Sequence, residues 1–257
     1  MKRTALNWVG VCLAVLILTG CDLSDFLGAM RPQPPDPGLR LVLQPEPVKS
    51  GEAVTAEQLQ VTRDILEMRA KNLGVSNASV QVGSDGTITV KVPAVDDPDA
   101  LTQAMVGRGF VELLDGGDSP PPEGEVVVTD LGGPPLNGPQ PGNSKVWQVV
   151  VTSDEMDASK IALQFDAMTN EPQVAFTFNS AGAKKFADFT SNNIGKFMPI
   201  VLDKKVISTP IIQARIPGGS GIINGLGLVE ARTLAAQLKA EMLPVNLQLL
   251  ETATIQP

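Results

Sequence analysis

Between Leu39 and Leu114 the apolar residues switch between the two-residue period of strands and the 3.6-residue period of helices, and the order of those switches limits the fold more than any other feature. Leu39-Arg-Leu-Val-Leu43 reads as a strand. Thr55-Ala-Glu-Gln58 has the form of a capping box, so the spacing predicts a helix from there. Along that helix Leu59, Leu66 and Leu73 fall at heptad spacing with Val61, Ile65 and Met68 beside them, and Gly74 serves as C-cap. Val80-Gln-Val82 and Ile88-Thr-Val-Lys-Val92 flank the turn Gly83-Ser-Asp-Gly86, which makes a hairpin. Asp96-Asp-Pro-Asp99 opens a short helix to about Val106, and Phe110-Val-Glu-Leu-Leu114 follows as a strand. The resulting βαββαβ order is the split ferredoxin-like arrangement of an α+β protein.

Regularity breaks at 115–145, where Pro120-Pro-Pro122, Gly132-Gly-Pro-Pro135 and Gly138-Pro-Gln-Pro-Gly142 leave room for one short strand at Val126–Val128. A second α+β region then has strands expected at Val146–Thr152, Gln173–Phe178, Met198–Asp203, Lys205–Ser208 and Ile211–Ile216. Ser180 is placed to cap a helix whose Ala183, Phe186, Ala187 and Thr190 share one face. The last helix, about Val229 to Met242, would be stopped by Leu243-Pro244, and a strand Asn246–Thr252 closes the chain.

The N-terminus reads as an export signal: Lys2 and Arg3, an apolar run from Trp8 to Leu18, then Leu18-Thr-Gly-Cys21. The run is too short to span hydrocarbon, which needs about 20 residues. Its ending resembles the bacterial lipoprotein signal, so residues 1–20 are expected to be removed and Cys21 acylated. Arg31-Pro-Gln-Pro-Pro-Asp-Pro-Gly38 reads as a stiff spacer, making 21–38 a lipid-anchored, Pro-rich tether. The expected location is the extracytoplasmic face of the cell membrane, with Asp22 favouring the inner one where there are two.

Composition removes several functions. Lys2 and Arg3 would leave with the signal, taking the formal charge from −8 to −10, the wrong sign for nucleic acid. Histidine is absent, which excludes imidazole bases and ligands, and the only cysteines are Cys12 and Cys21. No cofactor, metal site or catalytic residue is expected. Gly218-Gly-Ser-Gly221 lacks the Gly-Lys-Ser/Thr of a phosphate loop and reads as a flexible turn. Asp96, Asp97 and Asp99 read as helix-capping charges, and Lys184-Lys185 and Lys204-Lys205 as solvated ones.

Longer blocks carry a resemblance. Phe176-Thr-Phe-Asn-Ser-Ala-Gly-Ala-Lys-Lys-Phe-Ala187 and Ile200-Val-Leu-Asp-Lys-Lys-Val-Ile-Ser-Thr-Pro-Ile211 resemble the periplasmic first domain of SecD. Leu243-Pro-Val-Asn-Leu-Gln-Leu249, Thr62–Ser76 and Ile88–Ala94 extend the resemblance over most of 39–257, most weakly at 116–145. SecD is a membrane-embedded accessory of the Sec export channel. The resemblance implies a ferredoxin-like base with an inserted head that contacts emerging polypeptide and swings on the base. It also implies a motor of transmembrane helices, which this sequence is not expected to carry. Where the family has Asp-Gly at the hairpin, this chain has Asp203-Lys204.

The division expected is a signal peptide at 1–20, the tether at 21–38, a base from 39–115 and 244–257, and a head-like region at 116–243 with 116–145 mobile. The reading is a non-enzymatic lipoprotein whose partners are the membrane, through its lipid, and exported polypeptide or Sec translocon components, not nucleic acid. Candidate polypeptide contacts are Val206, Ile207, Pro210, Ile211, Gly218 and Gly219; the plain alternative is that these are core and turn. An envelope scaffold reusing the fold, and a carboxylate-dependent hydrolase, are the competing functions.

Overall fold

A computed structural model describes residues 38–255 apart from 49–50, 76, 94, 96, 135–138 and 143. The expected signal, tether and Cys21 lie outside the described residues. In chain order the elements are β1 (Gly38–Glu46), α1 (Ala56–Asn72), β2 (Ser79–Val82), β3 (Ile88–Val92), α2 (Pro98–Val106), β4 (Val111–Leu114), β5 (Val128–Thr129), β6 (Val146–Trp147), β7 (Val149–Thr152), β8 (Ala162–Phe165), β9 (Pro172–Thr177), α3 (Ser180–Asn192), β10 (Ile200–Leu202), β11 (Lys205–Ser208), β12 (Ser220–Ile223), α4 (Leu228–Lys239) and β13 (Asn246–Ile255).

The base is a four-stranded antiparallel sheet in the order β13-β1-β3-β2. Leu39, Leu41 and Leu43 stand opposite Val92, Val90 and Ile88, and all six are buried against Leu66 and Ala70 of α1 and Leu101, Ala104 and Met105 of α2. Both helices are capped as their sequences require. Thr55 Oγ1 accepts from Gln58 N at 3.2 Å while Thr55 N donates to Gln58 Oε1 at 2.9 Å, and Asp97 accepts from Ala100 N. Gly74, at φ 88°, turns the chain out of α1. The face carrying Leu59, Leu66 and Leu73 packs inward, whereas Val61 and Met68 are exposed.

The ferredoxin-like order is kept, but with a different fourth strand. Residues 110–114 do not close the base sheet; β13 does, paired with β1 from Gly38↔Ile255 to Glu46↔Asn246. β4 instead lies inside a second sheet, β11-β10-β4-β7. Each of its four residues is buried, as suits a strand covered on both faces, and local pattern does not say which sheet covers it. The head adds a third sheet, β12-β9-β8, with α3 and α4 sharing its core around Phe176, Phe178, Phe186 and Leu234.

Other expectations change in detail. Asn179, not Ser180, caps α3, its Oδ1 accepting from Ala181 N and Gly182 N at 3.0 Å each. Ile211–Ile216 is not a strand. Ile211 makes one bridge to Phe197, and Ile212 exchanges backbone bonds with Gly195 and Lys196 while its side chain enters the head core. β8 and β12 went unread; β12 hides in the glycine run because Gly221 must lie under the Phe176 ring, where a Cβ would be 2.4 Å from Cζ. α4 ends at Lys239, ahead of Pro244, as Glu241 turns to φ 70°. Within 116–145, β5 (Val128–Thr129) pairs with β6, Val126 bridges to Lys205, and Gly124 N and Val127 N donate to Val206 O and Lys204 O at 2.8 and 2.9 Å. Among the described residues no helix is long and apolar enough to cross a membrane.

Gly219 is a packed turn rather than a loose one. At φ 64°, its absent Cβ would sit 2.4 Å from Ala183 Cβ of α3, whereas Gly225, at φ 78°, faces open space. Gly225→Ala should cost about 1 kcal/mol of backbone strain. Gly219→Ala should cost about 1–3 kcal/mol more, from overpacking. Urea midpoints of the two variants check this, and equal losses would contradict the tight contact.

Candidate functional site

Two places in the molecule bring chemistry together. The first is an apolar cavity of about 350 Å³ in the head, walled by Phe176, Met198, Pro210, Ile211, Ile216 and Ile222. An edge-to-face pair, Phe176 and Phe178, with centroids 5.2 Å apart, and a tilted Phe178–Phe186 pair at 5.3 Å stiffen the core beneath it. Thr190 donates to Phe186 O at 2.8 Å and accepts from Ile216 N at 3.0 Å, which ties the wall of the cavity to α3. Ile211 and Ile222 remain 51% and 48% exposed at its rim. No titratable side chain lines it, so it is built to hold apolar groups and not to move protons.

Of the six residues singled out from sequence, the structure brings Pro210 and Ile211 together in this cavity. Val206 is buried on the opposite side of β11, packed with Leu114, Val127, Trp147 and Val201, and has no surface to offer. Ile207 faces the head core and is partly buried. Gly218 is exposed, and Gly219 is spent on its contact with α3. Both glycines lie outside the cavity lining.

The second place is the junction where the chain leaves the base after α2 and returns after α4. Asp203 and Lys204 form the two-residue turn between β10 and β11 at φ 48° and 71°. Glycine would adopt this without penalty, whereas a lysine at positive φ is strained by about 1–2 kcal/mol. What holds it is burial of its head group. Lys204 is 7% exposed, and its Nζ lies 2.7 Å from Glu112 Oε1 and 2.7 Å from Thr129 Oγ1, with Glu112 fully buried. Thr129 donates in turn to Glu112 Oε1 at 2.7 Å, while Glu112 Oε2 has no partner. The solvated reading of Lys204 is therefore corrected: an acid inside the apolar strand Val111-Glu-Leu-Leu114 requires a buried cation, and Lys204 supplies it. That interior acid was the available signal in the sequence. Lys205, its neighbour, is exposed.

Asp203 Oδ1 and Oδ2 accept from Phe110 N and Gly109 N at 2.9 and 3.2 Å, tying the turn to the outgoing chain. Behind them Arg69 of α1 is completely buried, donating to the carbonyls of Ala104, Gly107, Arg108 and Glu241. Burial lowers its guanidinium to about 10, an effect the Asp203 charge opposes, and it stays cationic at neutral pH. Arg108 is likewise pushed down by burial, with Asp203, Asp154 and Glu112 opposing. Nothing in the sequence marked Arg69, because on a helix of alternating charge a basic residue reads as surface. Beside the junction lies a cavity of about 320 Å³ with Arg108, Phe110, Asp203 and Lys204 among its walls.

Comparison with known proteins gives consistent neighbours. The family described as SecDF, P1 head subdomain, matches residues 139–245. The SecD subunit of the protein translocase of Thermobaculum terrenum is 32% identical over 85% of this chain and 52% of its own length. The SecDF subunit of Thermus thermophilus is 30% identical over 95% of this chain and 35% of its own. The chain thus spans about half or less of these relatives. Among solved structures, SecDF in its super-membrane-facing form aligns with TM-score 0.63 and 28% identity over 88% of this chain and 32% of that one. A second, from work on SecDF as a membrane component that enhances protein export, aligns with TM-score 0.58 and 29% identity over 82% of this chain and 98% of that one.

Removing Lys204 alone strands a buried carboxylate, so Lys204→Met should destabilise by about 3–5 kcal/mol despite relieving nothing else. Adding Glu112→Leu should recover more than half of that loss. Guanidinium unfolding of the two singles and the double measures the coupling; simple additivity would show that the pair is not energetically linked.

Proposed function

We propose that this chain, whose described residues form a P1 domain of the SecD kind, serves protein export by holding apolar stretches of unfolded, exported polypeptide in the head. The observation that carries this is the charge-free head cavity opening at Pro210 and Ile211. A cavity of that size takes one or two apolar side chains of an extended chain, which suits many clients and selects none. The protein acts as a binder, not an enzyme. Its partners are translocating polypeptide and components of the Sec translocon, and SecDF, one of its structural neighbours, is described as a membrane component that enhances protein export.

We place it on the extracytoplasmic face of the cell membrane, held by a lipid on Cys21 at the end of Leu18-Thr-Gly-Cys21, with the Pro-rich stretch to Gly38 as spacer. The acidic balance of the chain supports a lipid anchor over electrostatic attachment to anionic membranes.

A photo-crosslinking residue at Ile211 should trap secreted chains during export, and the same residue at Met68, exposed on α1 of the base, should trap few. Equal capture at both positions would refute polypeptide binding by the head; capture of a single folded partner at Ile211 would favour an envelope scaffold instead. Separately, Cys21→Ser should abolish incorporation of labelled palmitate and release the protein from the membrane fraction. Retention of both label and membrane would refute the anchor.

A further inference from the structure

The base and the head have separate apolar cores. One gathers β1, β3, α1 and α2 around Leu41, Leu66 and Val90, and the other gathers β9, β10, α3 and α4 around Phe176, Phe186 and Leu234. The chain passes between them twice, outward through Gly107–Phe110 and back through Ala240–Val245. Arg108, on the outward passage, reaches the return through Leu243 O and Met242 Sδ, and one side chain of the base reaches both passages. Arg69, anchored in α1, donates to Ala104 O at 2.9 Å and to Gly107 O at the end of α2, to Arg108 O at 2.6 Å on the outward passage, and to Glu241 O at 3.4 Å on the return. No carboxylate pairs with it within salt-bridge distance among the described residues, and its Nε has no partner. Its contacts are carbonyl dipoles, with the Asp203 charge supporting it from beyond contact distance, so losing part of the set leaves a buried cation poorly solvated. Such an arrangement favours fully made or fully broken over anything between.

The surroundings fit a joint more than a core. Asp203, Lys204 and Glu241, three of the four non-glycine residues at positive φ among the described residues, lie here, and Gly109 joins them at φ 76°. The passages are tied to each other by Leu243 N donating to Arg108 O at 3.1 Å and Arg108 Nε donating to Leu243 O at 3.4 Å. Cavities of about 320 and 550 Å³ lie on the junction, the larger lined by Gly109, Glu241 and Met242, so apolar packing there is thin. We propose that Arg69 is the latch fixing the head on the base, a positioning residue whose carbonyl bonds, and not apolar burial, set the relative orientation of the two. Breaking the latch frees both passages together while each core stays folded.

Hydrogen exchange on the full chain tests this with Arg69→Met, which removes the donors, and Arg69→Lys, which keeps the charge but cannot span both passages. The amides of Gly109, Phe110, Asp203 and Leu243 should exchange at least about tenfold faster in both variants, with β3 and β9 amides changed by less than about twofold. Acceleration of passage and core amides together would make Arg69 an ordinary stabilising residue and overturn the proposal, as would no change at the passages. If Arg69→Met does not fold, exchange of the unaltered protein in rising denaturant decides. Passage amides opening with a smaller denaturant dependence than β3 and β9 support the latch, and one opening shared by all of them overturns it.

Discussion

The pairing of β1 with β13 is the constraint from which the rest of the architecture follows. The two strands are joined edge to edge over nine residues of β1, yet about 200 residues of chain separate them. A ferredoxin-like sheet completed by the last strand must let the chain out and take it back at neighbouring points. Everything inserted between becomes a head on two adjacent stalks, and α4 is the element that brings the return stalk home. Its Ala231, Leu234 and Leu238 face the head core, while Ala236 O accepts from Asn72 and Gln237 Nε2 donates to Gln103 O of the base.

Adjacent stalks bring polar backbone into a place where water is scarce. Exposed carbonyls at the end of α2 and in the two passages need donors, and exposed N–H groups at Gly109 and Phe110 need acceptors. Arg69 answers the first need and Asp203 the second. Placing Asp203 at the tip of the β10–β11 turn puts Lys204 in the next, left-handed position, where its strain is offset by neutralising Glu112. One turn therefore serves two polar networks, one on each side of the outgoing chain.

How much of this could be read from sequence follows the range of the interactions. The helix caps at Thr55 and Asp97, the hairpin at Gly83–Gly86 and the inward stripe of α1 are decided within a few residues, and the chain displays them. Residues 110–114 announced a strand correctly but not its sheet, because its partners, β7 and β10, come later in the chain and its burial on both faces erases the alternation that would orient it. β12 was masked by a glycine run in which Gly221 is fitted to the Phe176 ring, and Ile211–Ile216 looked like a strand because three β-branched isoleucines fall in six residues, although Ile212 alone of them is buried. At the site, Pro210 and Ile211 read as apolar strand and sheet-edge residues open to an extended chain, with core as the alternative, and the structure leaves both exposed on the cavity wall. Arg69 and Lys204 were not legible, since a buried cation differs from a surface one only in what the fold brings to it.

The head cavity and the polar junction differ in chemistry but share a strand. On β4, Leu113 lines the apolar cavity, and its neighbour Glu112 points the other way to meet Lys204 and Thr129. On β10, Ile200 lines the same cavity a few residues before the turn at Asp203. Strands paired in a sheet move as a unit, so a group wedged against Leu113 and Ile200 is opposed on the far face by a buried ion pair that tolerates little displacement. The cavity is thus stiff where it abuts β4 and β10, and its wall at Gln213 and Ala214 lies outside any strand ladder, up to Ile216, whose N–H donates to Thr190 Oγ1. That combination, one fixed wall to press against and one outside the ladders, suits the proposed binding of varied apolar segments.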